Sequence, residues 1–153
     1  MRFLLVDRIV ALERGKRAVG FKNVTMSEDF LTHHFPDRPI MPGTLIIEAL
    51  VQLADWLVRE NSDFTYLGLA TTFGRLKFRR VVRPGDRLRL EVEITSLDVE
   101  AAEVKGKAYR EDELAASGTF TLALHPLEGY LSVAEARQLF GMIYDGEDPQ
   151  HEK

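Results

Sequence analysis

Two side chains and a glycine stand at spacings that suit proton chemistry: His34, Gly43 and Glu48, all within HHFPDRPIMPGTLIIEALVQ, residues 33–52. Pro36, Pro39 and Pro42 stiffen the path from the histidine to the glycine. An apolar run follows, and Glu48 falls about one and a half turns into it if that run is helical. A helix beginning at Pro42 and Gly43 offers unpaired N–H groups at the positive end of its dipole, and Gly43 lets another molecule approach the backbone. Such a place can hold a carbonyl or an oxyanion.

Base, acid and oxyanion site together suit proton abstraction beside a carbonyl. A neutral imidazole accepts a proton near physiological pH, and a carboxyl kept protonated by apolar surroundings gives one. Donors at the helix start stabilise enolate-like charge, an effect on the order of 3 kcal/mol per donor in comparable sites. Dehydration of a 3-hydroxyacyl thioester needs all three functions. Each residue alone has a plainer reading: His34 as a loop histidine bonded locally, Glu48 as part of a polar stripe, Gly43 as a helix-start glycine. His33 and His34 do not read as a metal site, because neighbouring residues in extended chain point apart and no further ligand set accompanies them.

The elements that must hold these residues are legible nearby. Residues 2–29 read as two extended segments turning at Gly15, rich in Val, Ile and Phe. From Gly43 to about Glu60 the length and composition predict a helix. Its apolar residues point in most directions, leaving Glu48, Gln52, Asp55 and Arg59 in one narrow stripe, so it must be buried on most sides. Downstream, RLRLEVEIT alternates Leu88, Leu90, Val92 and Ile94 with charged residues, which is the period of a strand with one wet face. Pro84 and Gly85 before it suit the centre of a turn. About four strands in all follow the helix, which predicts an α+β fold with an antiparallel sheet curling round one helix. A short amphipathic helix with a capping box, Ser132 and Glu135, is expected after Pro126, stopping near Gly146. The boundaries expected are a domain over 1–126, a helical extension over 127–146 and a flexible tail over 147–153.

Composition sets outer limits. With 153 residues, 45% of them hydrophobic, the chain is sized for one domain with a real core. The net charge of -4 gives no sign of a nucleic-acid binder, and the absence of cysteine removes thiolate and disulfide chemistry. No segment has the run of about 18 uncharged apolar residues that a membrane span requires, so a cytoplasmic location is expected. Arg75, Lys77, Arg79, Arg80, Arg83, Arg87 and Arg89 form a basic run in a net acidic chain, either the wet face of strands or a docking patch for an acidic partner.

The stretch HFPDRPIMPGTLIIEALVQ closely resembles the signature of hotdog-fold 3-hydroxyacyl-acyl-carrier-protein dehydratases, together with FLLVDRI, GKRAVGFKNVT, KFRRVVRPGD and KGKAY. The resemblance spans roughly Phe3 to Leu124. It implies a helix wrapped in a sheet, homodimers that often assemble as trimers of dimers, and active sites that take a histidine from one subunit and a carboxylate from the other. It places that histidine at His34, the carboxylate at Glu48, and the amide receiving the thioester carbonyl at Gly43. It implies no metal or cofactor, and an acyl carrier protein that delivers the substrate on a phosphopantetheine arm. Glutamate rather than aspartate at position 48 favours dehydration without isomerisation. Two departures stand out: His33 and Asp37 replace glycines common in the family. A hotdog acyl thioesterase and a non-catalytic acyl-binding or scaffold subunit are the alternatives left open.

Overall fold

The computed structural model describes residues 3–146, so the tail expected over 147–153 lies outside the described residues. Strands β1 (Arg8–Glu13) and β2 (Arg17–Asn23) meet at a turn where Gly15 takes a left-handed φ of 70°, the conformation glycine adopts at least cost. Helix α1 (Gly43–Asn61) comes next. Then come β3 (Tyr66–Phe78), β4 (Arg87–Leu97), β5 (Ala101–Arg110), β6 (Glu113–Pro126) and helix α2 (Val133–Ile143). The turn before β4 is closed by the Asp86 N–H donating to the Arg83 carbonyl at 3.0 Å, with Pro84 and Gly85 at its centre.

All six strands form one antiparallel sheet in the order β1-β2-β4-β5-β6-β3. The inward residues of β4 are Leu88, Leu90 and Val92, those of β5 include Ala102, Val104 and Ala108, and β6 adds Ala116, Phe120 and Leu122; all are buried. Helix α1 lies against β2, β3, β4, β5 and β6 and buries ten residues from Ile46 to Val58. The helix is therefore covered on most sides, as its apolar circumference requires. This is the hotdog arrangement.

One residue breaks the inward pattern. Lys22 occupies a core-facing position of β2 and is only 4% exposed. Its Nζ donates to Glu28 Oε1 at 2.6 Å and lies 3.8 Å from Asp7 Oδ2, so the buried ammonium is compensated. Its aliphatic stem fills the place that a large apolar residue would take.

Helix α2 is capped by Ser132, whose hydroxyl accepts from the Glu135 N–H at 3.4 Å. It docks through Phe140, whose ring lies 5.8 Å from Trp56, 5.7 Å from Phe64 and 5.0 Å from Tyr144. Arg137 stacks over Phe64 and reaches Asp63. The helix ends at Ile143, earlier than the expected stop at Gly146. Tyr144 turns extended and bridges Ile9 of β1, and the Asp145 N–H donates to the Ile9 carbonyl at 2.8 Å. Pairing with the strand edge wins over another helical turn. Among the described residues, no helix is long and apolar enough to cross a membrane.

Candidate active site

The loop from His33 to Pro42 is held by its own backbone. Phe35 and Arg38 exchange N–H···O=C bonds of 3.2 and 3.0 Å around Pro36 and Asp37. The Ile40 N–H donates to the His34 carbonyl at 2.9 Å, and the next residue, Met41, donates to Val82 at 2.8 Å. The loop is thereby tied to the segment between β3 and β4. Within this frame the His34 ring stacks on Phe35 with centroids 4.4 Å apart, and the peptide joining the two residues is cis.

His34 Nδ1 lies 3.0 Å from the Ile40 carbonyl oxygen. A carbonyl only accepts, so Nδ1 donates, and in the neutral ring the lone pair is then on Nε2. The ring is half-buried, and Nε2 has no hydrogen-bond partner among the described residues. This is the tautomer a general base requires.

Gly43 opens α1 directly after Pro42, and the first hydrogen bonds back to Pro42 come from Leu45 and Ile46. The N–H groups of Gly43 and Thr44 thus meet no acceptor among the described residues, as expected of a helix start. A β-carbon at Gly43 would stand 2.7 Å from two carbons of the Phe78 ring. Only glycine fits beneath that ring, which is itself 52% exposed.

Glu48 is half-buried on α1, and its Oε1 accepts from Gln52 Nε2 at 3.2 Å. Gln52 also donates to the Phe3 carbonyl at 3.1 Å and accepts from the Leu5 N–H at 2.8 Å. One turn further on, Arg59 contacts Asp55 at 2.6 Å, and Asp55 accepts the Gly68 N–H of β3 at 2.7 Å. Burial pushes the Asp55 carboxyl above the usual carboxylate range, against the pull of the Arg59 guanidinium and the Gly68 N–H. The polar stripe of α1 is consequently a set of tertiary ties rather than a solvated edge.

The histidine loop and the start of α1 are brought together by Met41 and Pro42. Among the described residues, no hydrogen bond or ring contact joins His34 to Glu48. His33 is exposed and is not among the residues with left-handed φ, so it sits at the usual glycine position without backbone strain. Arg75, Lys77, Arg79 and Arg83 have no carboxylate partner among the described residues, whereas Arg80 pairs with Glu113 and Arg89 with Glu91. Sequence reasoning missed the contacts of Gln52 and Phe78. The four-residue spacing of Gln52 from Glu48 could have indicated the first. Nothing local indicated that Phe78 covers Gly43.

Comparison with known proteins adds to this geometry. The FabA-like domain family matches residues 1–119. A "3-hydroxyacyl-[acyl-carrier-protein] dehydratase FabZ" from Thermoanaerobacter sp. (strain X514) is 53% identical over 116 residues, covering 75% of this chain and 82% of that protein. Among solved structures, the dehydratase heterocomplex ApeI:P from Xenorhabdus doucetiae superposes with a TM-score of 0.65 at 14% identity, over 90% of both chains. A hypothetical thioesterase from Streptococcus pneumoniae TIGR4, solved with coenzyme A, superposes with a TM-score of 0.60 at 14% identity, over 78% of this chain and 88% of that one. The two structures share the fold with this chain and differ in their named chemistry, so the fold alone does not choose between them.

Proposed function

The chain belongs to the FabA-like family and, within it, to the 3-hydroxyacyl-[acyl-carrier-protein] dehydratases; from that premise we propose how it removes water from a 3-hydroxyacyl thioester to give the trans-2-enoyl thioester. The observation that carries the mechanism is the bond between His34 Nδ1 and the Ile40 carbonyl, because it leaves Nε2 as a base. In this reading Nε2 takes the proton from C2. The developing charge on the thioester oxygen falls on the free N–H groups at the start of α1, with Gly43 allowing the approach. Glu48 protonates the C3 hydroxyl, the C3–O bond breaks, and water leaves as the C2–C3 double bond forms.

His34 and Glu48 act on one substrate when two copies of the chain meet, His34 from one and Glu48 from the other. Two observations support this: among the described residues no hydrogen bond or ring contact joins them within one chain, and β3 has the character of an open edge. That strand is a sheet edge, 13 residues long, and exposes Leu69, Phe73, Leu76 and Phe78. An open apolar edge of this length is a surface for association. The unpaired Arg75, Lys77, Arg79 and Arg83 lie on and just after the same strand, where they suit an acidic acyl carrier protein bearing its substrate on phosphopantetheine. The pathway is fatty-acid or related polyketide-type synthesis in the cytoplasm.

The test is turnover of carrier-linked 3-hydroxyacyl substrates across chain lengths, followed by enoyl product. His34→Ala and Glu48→Gln each lower turnover by about 10²- to 10⁴-fold. Release of free thiol without enoyl product would make the chain a thioesterase, and turnover indifferent to both substitutions would refute the site.

A further inference from the structure

The amide of Gln52 cannot turn over. Its oxygen faces the Leu5 N–H, which can only donate, and its nitrogen faces the Phe3 carbonyl, which can only accept. Reversing the amide would set donor against donor and acceptor against acceptor. One hydrogen of Nε2 is used by Phe3, and the other points at Glu48 Oε1. The polarity of two backbone groups near the N-terminus is therefore passed through one side chain to the carboxyl group.

We infer that the segment from Phe3 to Val6 is a positioning strap for the acid: its backbone fixes Gln52 so that Glu48 Oε1 always accepts, which places the transferable proton on Oε2. This rests on the reading of Glu48 as the proton donor. When Glu48 carries its proton, the oxygen that accepts the N–H bond at 3.2 Å is the carbonyl-like one, and Oε2, which meets no donor among the described residues, is left as the hydroxyl. The strap is itself well anchored. Leu5 and Val6 are buried at 3% exposure each, and the Asp7 N–H donates to the Phe21 carbonyl at 2.8 Å while Asp7 Oδ2 accepts from the Asn23 N–H. A rotating carboxyl would present the proton to the substrate only part of the time, and loss of such supporting bonds costs about 10- to 100-fold in comparable sites.

Three variants test the strap, on the wild-type chain and on Glu48→Gln. Leu5→Pro removes the N–H that orients Gln52, Gln52→Leu removes the relay, and Val104→Ala removes buried packing from β5, outside the strap, while keeping every hydrogen bond. The first two are expected to lower kcat by about 10- to 100-fold with KM within about twofold, and to cause no further loss on the Glu48→Gln background. Val104→Ala is expected to lower Tm and keep kcat. Should Leu5→Pro not fold, Gln52→Leu carries the same comparison. Losses of equal size on both backgrounds, or unchanged kcat in Gln52→Leu, overturn the strap alone. Wild-type turnover in Glu48→Gln by itself overturns the acid assignment, and the strap with it.

Discussion

Phe78 lies so close over Gly43 that its ring leaves no room for a β-carbon: one placed there would stand 2.7 Å from two ring atoms. The ring is half-exposed and belongs to the last residue of β3, so it can swing outward where a buried ring could not. Gly43→Ala should therefore fold with only a small drop in Tm and lose turnover, by about tenfold or more, because the displaced ring or the new methyl obstructs the helix start. Adding Phe78→Ala should return part of that loss. Turnover in Gly43→Ala equal to wild type would show that nothing binds against that backbone.

A site shared between two copies makes an arithmetical prediction. Mixing His34→Ala with Glu48→Gln, each inactive alone, gives mixed dimers with one doubly damaged site and one intact site. With free exchange of subunits, turnover should recover to about a quarter of wild type. Size-exclusion chromatography with activity assays checks it, and no recovery after demonstrated exchange would place both residues of each site in one chain.

The Asp55 carboxyl bears on stability against pH. Burial raises its folded-state pKa above the unfolded one, so the folded state holds this proton over a range where the unfolded chain has released it. Its contribution is complete below the ordinary aspartate value of about 3.9 and is lost as pH rises through the folded value. The stability advantage of wild type over Asp55→Asn should shrink from pH 4 to 7 in urea titrations. An advantage that grows with pH would mean that Arg59 outweighs burial.

Phe140 joins α2 to Trp56 of α1 and to Phe64 just beyond that helix. Phe140→Ala should cost about 2 kcal/mol, below the range for a fully buried ring because the side chain is only half-buried. Turnover at temperatures where the variant is folded should not change. A loss of activity larger than the loss of folded protein would tie α2 to the reaction.

Charge reversal at Lys77 and Arg79 should raise KM for carrier-linked substrates several-fold at low salt and leave a pantetheine-linked analogue unaffected. The difference should fade at high ionic strength. Equal effects on both substrates would move these residues from carrier docking to the site itself.

What could be read from the sequence was whatever local pattern decides. The burial of α1 follows from its apolar circumference, β4 from its alternation, and the turn at Pro84 and Gly85 from its residue types. His34, Gly43 and Glu48 drew attention by chemistry and spacing, and the tautomer of His34 is set within the same short loop. What escaped depended on partners distant in sequence. Gln52 looked like a polar stripe residue because its partners, Phe3 and Leu5, lie in another segment. Lys22 breaks the inward pattern of β2 and is tolerated only because Glu28 and Asp7 reach it. Helix α2 stops before Gly146 because Tyr144 is captured by β1, a competition no helical periodicity reveals.

The fate of Tyr144 also bears on the proposed pairing of two copies. The sheet has two rims, and they are finished differently: β1 is six residues long and crossed by Tyr144 and Asp145, whereas β3 is 13 residues long and crossed by no other segment among the described residues. A ribbon that is sticky along both rims grows into a filament, and one sticky along a single rim stops after the first addition. For the proposed pairing of two copies, Tyr144 and Asp145 thus act as a selvedge that closes the β1 rim and leaves the β3 rim open.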